Sequence, residues 1–232
     1  LIFDKNLQLK RKITLTEFIQ NDNIRPKKVE SNGIDSFFVL NKLDSFIYVI
    51  DLISLNRKEI LSIDLQKQKV TDIQFNNLRL YALDSNNFKI HIFKSNGIFK
   101  NSIRLNRTHF IKPVSFYVND DLIAVNDNYS GIKILDLKQK TFRFCINKQN
   151  TIQLECFLIL DSKLITINSA GLINYYEINF KEKTNDLVLF EKPDASRIYD
   201  ELKSNDSYCA IYFSKKILIC CPWKRKLFFM KC

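Results

Sequence analysis

The stretch LRLYALDSNNFKIHIFKSNGIFKNSIRL, residues 78–105, alternates apolar and polar residues in three runs. The runs are separated by residues 84–87 and 95–97, which are rich in Asn, Asp, Ser and Gly and therefore favour turns. Alternation with a period of two is the pattern of β-strands that are buried on one face. The stretch predicts three consecutive antiparallel strands.

The same order of strand, polar turn and strand occurs five times in ungapped units. These units cover residues 36–52, 78–94, 121–137, 162–178 and 215–231. A spacing of about 40 to 45 residues in an all-β chain, here with one longer last step, is typical of a β-propeller. An apolar strand before each unit and an edge strand after it would make four strands per blade. We therefore expect one β-propeller domain over residues 1–232, all-β, with four-stranded antiparallel blades and five visible blade units.

The first residues extend this pattern. Residues 1–15 align without gaps on residues 91–105, so the sequence opens inside a blade. One interpretation is a five-bladed ring in which a strand near residues 9–15 completes the C-terminal blade. The other, which we favour, is part of a propeller with six or more blades.

A family resemblance rests on residues 71–103, TDIQFNNLRLYALDSNNFKIHIFKSNGIFKNSI. They resemble an NHL repeat, with a tetrad Tyr-Ala-Leu-Asp at residues 81–84, an Asn-rich turn and an Ile-x-x-Phe strand; residues 113–137 are similar to a second copy. The other repeats keep only the apolar pattern, and a degenerate WD-repeat-like propeller is the alternative. NHL-type propellers include members that bind RNA through a positive face, so the resemblance implies RNA as an alternative partner.

Composition limits the class of protein. The net charge of +11 favours anionic partners, although Lys and Asn also replace Ala and Gly throughout, as a coding bias would produce. No run reaches the ~18 apolar residues of a membrane helix, so we expect no membrane span in the chain. The six cysteines show no CxxC spacing, which predicts no metal site. Most lie inside apolar runs, where a free thiol packs as a small hydrophobe, so we expect a reducing, cytoplasmic location. The alternative is oxidation of Cys209 and Cys220 across a hairpin.

The sequence shows no motif of a catalytic site. It has two histidines, His91 in a predicted strand and His109 in a predicted loop, and no GxSxG, HExxH or P-loop pattern. We expect a protein that is not an enzyme, with no catalytic residues and no cofactor. An enzymatic or ligand-binding extracytoplasmic propeller is the remaining alternative.

Binding residues are expected on loops. In a propeller, the turns between second and third strands lie on the same rim as the loops between blades, and rigidly held loops commonly carry function. We therefore predict a non-catalytic protein–protein interaction platform. Within the long insertion at residues 191–207, residues 193–203 could form a short helix. The only tryptophan is followed by basic residues, a combination that also suits RNA stacking. The candidate binding residues are Tyr129, Ile198, Tyr199, Trp223, Lys224, Arg225 and Lys226.

Overall fold

The structure is a computed structural model of the 232-residue chain. It describes residues 2–3, 9–11, 25–43, 46–51, 57–58, 69–138, 141–146, 154–160, 163–168, 173–178, 189–190, 209–213, 216–221 and 226–231. Strands are the only regular elements that these residues form. None of the residues so described belongs to a helix with the length and apolar character that crossing a membrane requires.

The chain forms two compact units, Leu1–Arg104 and Leu105–Cys232. In the first unit, a two-stranded sheet precedes two four-stranded antiparallel sheets, which we call blades 1 and 2. The two-stranded sheet contains β1 (Ile2–Phe3) and β2 (Leu9–Arg11). Blade 1 contains β3 (Pro26–Ser31), β4 (Ser36–Asn41), β5 (Ile47–Asp51) and β6 (Arg57–Lys58), and blade 2 contains β7 (Val70–Asn76), β8 (Arg79–Asp84), β9 (Lys89–Lys94) and β10 (Phe99–Arg104).

The second unit contains three further sheets, blades 3 to 5. Blade 3 contains β11 (Pro113–Asn119), β12 (Leu122–Asp127), β13 (Gly131–Asp136) and β14 (Thr141–Ile146). Blade 4 contains β15 (Leu154–Leu160), β16 (Lys163–Asn168), β17 (Ile173–Glu177) and β18 (Leu189–Phe190). Blade 5 has three described strands, β19 (Cys209–Phe213), β20 (Lys216–Cys221) and β21 (Lys226–Lys231).

Strands follow one another in each blade in chain order, and each pairs antiparallel with the next. The five units predicted from the sequence contain the second and third strands of the five blades. The prediction of an all-β fold with four-stranded antiparallel blades is therefore confirmed. The single domain over residues 1–232 stays a prediction, and the expected helix at 193–203 lies outside the described residues.

Blade 2 shows how the sequence sets the strand register. A two-residue turn, Asn77 and Leu78, joins β7 to β8, with Asn76 paired to Arg79. Both turn residues have positive φ, 47° and 56°, as the tight hairpin turns that match strand twist require. Leu78 stands where glycine is usually preferred, and its side chain is exposed.

Apolar side chains fill the junction between blades 1 and 2. The rings of Phe38 on β4 and Phe75 on β7 stack with centroids 5.5 Å apart and an interplanar angle of 11°. Around them lies a cluster of buried residues from both blades: Leu40, Ile47, Val49, Val70, Ile73, Leu80, Ala82 and Phe93. Neither sheet can bury both faces alone, so the blades pack face to face.

Charged side chains cross the same junction at the first strands, β3 and β7. The Lys28 ammonium lies 2.8 Å from an Asp72 carboxylate oxygen and 3.5 Å from a Glu30 oxygen. The second Glu30 oxygen accepts a hydrogen bond from the Phe75 backbone N–H at 3.2 Å. The two first strands belong to different sheets, and these side chains link them.

The junction between blades 3 and 4 is mostly apolar. Its buried cluster contains Leu122, Ala124, Ile132, Ile134, Ile159, Leu164, Tyr176 and Ile178. A polar link between these blades is the hydrogen bond from the Asn119 side-chain amide to the Ile159 carbonyl oxygen, at 3.3 Å. The polar link between blades 3 and 4 is thus made by a neutral amide, whereas charged side chains make the link between blades 1 and 2.

Candidate functional site

The end of the second strand in blades 2 and 3 carries a buried aspartate that organises the turn after it. Asp84 is the last residue of β8. One of its carboxylate oxygens accepts hydrogen bonds from the backbone N–H groups of Asn86 and Asn87, at 3.1 and 3.0 Å. The other accepts the Asn87 side-chain amide at 2.8 Å and lies 3.5 Å from His91 Nε2. Burial alone would raise the pKa of Asp84, but the contacts with His91 and Asn87 stabilise the ionised form, and its pKa lies below the ordinary value.

Asp127 occupies the equivalent position at the end of β12 and binds two segments at once. One oxygen accepts the backbone N–H groups of Tyr129 and Ser130, both at 2.9 Å, in the turn between the second and third strands. The other accepts those of Ile111 and Lys112, at 2.8 and 2.7 Å, in the loop that enters blade 3. One buried carboxylate therefore ties the turn to the loop.

The four N–H donors also explain the acidity of Asp127. Burial opposes ionisation, but four backbone hydrogen bonds to the carboxylate outweigh it, so the pKa of Asp127 is lowered. The Ser130 hydroxyl adds a bond to the His109 carbonyl oxygen at 3.2 Å, and the Lys133 ammonium lies 4.9 Å above the centre of the buried Phe110 ring. The turn after β12 and the loop that enters blade 3 are therefore fixed by several independent contacts.

A backbone hydrogen bond repeats this connection in three blades. The residue after the last residue of the second strand donates to a carbonyl in the loop that enters the same blade. The pairs are Lys42 to Arg25 at 2.7 Å, Ser85 to Lys69 at 3.2 Å, and Asn128 to Lys112 at 2.9 Å. In blade 1, Asn41 adds a bond like those of Asp127, because its side-chain oxygen accepts the Arg25 N–H at 2.9 Å.

We call the turn between second and third strands, together with the loop entering the blade, the loop end of that blade. Large apolar side chains are exposed there: Leu43 to 54% in blade 1, and Ile111 to 63% and Tyr129 to 53% in blade 3. Leu43 and Tyr129 both stand two residues after the polar residue that ends the second strand. At each of these loop ends, an exposed apolar side chain stands on a fixed backbone, an arrangement suited to contact with a macromolecule.

The structure describes the side chain of only one predicted binding residue. Tyr129 is exposed at the loop end of blade 3. The others, Ile198, Tyr199, Trp223, Lys224 and Arg225, lie outside the described residues, and Lys226 is described only as the first backbone position of β21. Leu43 lies in a predicted turn between second and third strands and Ile111 in a predicted loop between blades, but neither was among the candidate binding residues. Leu43 stands at the same distance from the end of its second strand as Tyr129 does. This shared spacing could have marked Leu43 as an exposed turn residue.

The two histidines lie in different environments. His91 is buried on β9 beside Asp84, and the exposed His109 lies in the loop entering blade 3. Within the described ranges, no group of three or more His, Cys, Asp and Glu side chains is placed to hold a metal ion. The loop ends of blades 1 and 3, with their exposed apolar side chains, are the candidate binding sites.

Comparisons with known proteins establish the fold. No family model matches the chain, and no curated protein matches its sequence. Among solved structures, a chain of the mitotic checkpoint complex aligns with a TM-score of 0.60 and 10% identity over 90% of this chain and 63% of that one. BamB from Moraxella catarrhalis aligns with a TM-score of 0.53 and 8% identity, over 84% and 54%. The computationally designed Ika8 protein aligns at 0.52 and 8%, over 85% and 56%.

These likenesses define the class of protein. BamB and the checkpoint chain are β-propellers, and the chain has the β-propeller fold. It spans between 54% and 63% of the length of the three solved chains. Identities of 8 to 10% show the fold alone, so the NHL resemblance stays a prediction.

Proposed function

We propose that this protein is a non-catalytic interaction platform that binds a protein partner through the loop ends of its blades. The observation that carries the proposal is the arrangement around Asp127. Its carboxylate accepts four backbone N–H groups, two of which belong to Ile111 and Tyr129. Both side chains are exposed while their backbone is held, so little backbone entropy is lost when a partner covers them.

The chemistry of the exposed side chains supports a protein partner. Tyrosine is enriched at protein interfaces, because it offers a large apolar ring with a polar hydroxyl and has few rotatable bonds. Ile111 is aliphatic and has no planar face to stack on a base. An anchor of this kind fits a groove or pocket of a folded protein or an apolar side chain of a peptide.

Site-specific photo-crosslinking tests the proposal. In one variant, expressed in cells, a photoreactive phenylalanine analogue replaces Tyr129. In a control variant the same analogue replaces Leu78, whose exposed side chain lies at the opposite end of its blade. We expect crosslinks to a defined protein from position 129 and not from position 78, detected by mass spectrometry. The crosslink should survive nuclease treatment.

A matched pair of variants then tests the energetics. Ile111→Ser with Tyr129→Ser should weaken binding of the crosslinked partner at least tenfold, about the cost of losing one or two interface anchors. Ile34→Ser with Leu78→Ser removes a comparable exposed apolar area from the turns between first and second strands, where these side chains are exposed to 72% and 62%, and should leave binding unchanged. Equal effects of the two pairs, or crosslinks to RNA alone, would contradict the proposal.

A further inference from the structure

Three basic residues from separate segments lie at the loop ends of blades 1 and 2. Arg25 precedes β3, Lys42 follows β4 and Lys69 precedes β7, and all three side chains are exposed. The Lys42 N–H donates to the Arg25 carbonyl oxygen, and the Ser85 N–H donates to that of Lys69. The backbone positions of these cations are therefore fixed by the hydrogen bonds of the blades.

A hydrogen bond between the first strands of the two blades brings the segments that carry these cations together. Lys27, on β3, donates its ammonium group to the Thr71 carbonyl oxygen on β7. Burial lowers the pKa of Lys27, Asp72 partly offsets that effect, and the positive charges of Lys69, Lys28 and Lys42 lower it further. The ammonium groups of these lysines therefore repel one another, and a bound anion would reduce that repulsion.

The carboxylates described in this region are already engaged. Asp72 is buried, accepts the Lys28 ammonium at 2.8 Å and also accepts the Ile73 backbone N–H at 2.9 Å. Glu30 lies 3.5 Å from Lys28 and accepts the Phe75 N–H. Lys27, Lys42, Lys69 and Arg25 therefore present an excess of positive charge at this surface.

An exposed aliphatic side chain adjoins the cations, since Leu43 follows Lys42 directly and is more than half exposed. We propose that the loop ends of blades 1 and 2 bind an acidic protein segment, with its carboxylates on Lys27, Lys42, Lys69 and Arg25 and an apolar side chain on Leu43. This inference rests on the proposed function and names the chemistry of the partner. Cations on three segments suit a ligand that carries several negative charges along its length.

A protein segment fits this surface better than a nucleic acid does. Single-stranded nucleic acids are held by cations together with aromatic side chains on which bases stack. Among the described residues at these loop ends, the large apolar side chain that is more than half exposed is the aliphatic Leu43. The aromatic Phe46 and Phe88 of the same turns are only partly exposed. Leucine contacts another apolar side chain well and offers no aromatic face.

The test uses three fluorescent probes with the purified full chain: a 20-residue poly-glutamate, the same peptide with two central leucines, and a 20-residue oligouridylate. Fluorescence anisotropy at several salt concentrations gives the affinities. Lys42→Ser with Lys69→Ser should weaken both peptides about tenfold and flatten their salt dependence, because exposed ion pairs are lost. Lys94→Ser with Lys100→Ser is the matched control. It removes the same charge from exposed positions on β9 and β10 and should change binding less than twofold.

Leu43→Ser separates a built site from general attraction of charges. It should weaken only the leucine-containing peptide, by about threefold, since the other peptide has no apolar side chain to lose. Equal losses in the two double-lysine variants would overturn the proposal, as would oligouridylate binding that is tighter than peptide binding and depends on Lys42 and Lys69.

Failure here is distinguishable from failure of the proposed function. If the partner crosslinked at Tyr129 binds the Lys42→Ser, Lys69→Ser variant normally and loses binding to the Ile111→Ser, Tyr129→Ser variant, the platform stands and the acidic-segment proposal falls. If neither variant loses that partner, the platform proposal falls as well.

Discussion

The junction between blades 1 and 2 and the junction between blades 3 and 4 solve the same problem with different chemistry. Both bury an apolar cluster between two sheets. In the first, β3 and β7 are linked by the ion pair of Lys28 with Asp72 and by the Phe75 N–H donating to Glu30. In the second, the Asn119 side chain donates to the Ile159 carbonyl oxygen. Both junctions thus have apolar packing between their sheets, while the polar link between first strands is ionic in one and neutral in the other. The two links should differ in their response to pH and salt.

The largest expected effect comes from breaking the shared apolar part. Phe38→Ala removes a fully buried ring that stacks on Phe75, and should lower the free energy of unfolding by about 3 to 5 kcal/mol. Leu164→Ala in the other junction should cost about 2 to 5 kcal/mol. Urea unfolding measures both. Val29→Ala, at an exposed position of β3, should cost less than about 0.5 kcal/mol, and a comparable loss there would show that the packing is assigned wrongly.

The next effect isolates the ionic link. Lys28→Met keeps an unbranched apolar side chain of nearly the same length but removes the ammonium that pairs with Asp72 and Glu30. Removing one partner of a buried pair costs about 3 to 5 kcal/mol, and since Lys28 is partly exposed we expect about 2 kcal/mol by urea unfolding. Exchanging the charges with Lys28→Glu and Asp72→Lys should recover part of the loss. If Lys28→Met is as stable as the parent protein, the ion pairs do not hold the blades together.

A smaller effect is expected for the neutral link. Asn119→Ala should lower the free energy of unfolding by about 1 kcal/mol, the usual value of one hydrogen bond. Unlike the loss in Lys28→Met, this loss should not change between low and high sodium chloride, because the amide carries no charge. A strong salt dependence of the Asn119→Ala loss would remove the contrast between the junctions.

The smallest expected effect is a difference in pH dependence. Burial raises the pKa of Glu30, although Lys28 and the Phe75 N–H oppose that shift. A raised folded-state pKa contributes stability that is present below the unfolded pKa, near 4.5, and is lost as pH rises through the folded-state value. Glu30→Gln should therefore flatten the stability profile just above pH 4.5, measured by urea unfolding from pH 4 to 7. Asn119→Ala should leave the slope in that window unchanged.

The fold was accessible from the sequence because strand alternation and the repeat period are local patterns. The strands that carry Leu80 and Ile92 follow from the period of two. Their burial on both faces does not, since residues 80–84 of β8 and 90–93 of β9 are all buried. The exposure of Tyr129 was also accessible, since a turn between second and third strands lies at the surface.

The polar contacts were less accessible, because they join residues that are far apart in sequence. Asp127 was visible as a turn residue, but its bonds to Ile111 and Lys112 depend on how the entering loop returns to the strand end. The link from Lys28 to Asp72 spans 44 residues and that from Asn119 to Ile159 spans 40. Both separations are close to the repeat period. Aligning the first strands of consecutive repeats could therefore have suggested these pairs.

The repeated bond between a strand end and its entering loop bears on how such a chain can grow. In each of the three pairs, Lys42 with Arg25, Ser85 with Lys69 and Asn128 with Lys112, both partners belong to the same repeat. A duplicated copy of one repeat in the gene would therefore bring its own loop anchor with it. Only the contacts between neighbouring blades, such as Lys28 with Asp72, would have to evolve again after the duplication.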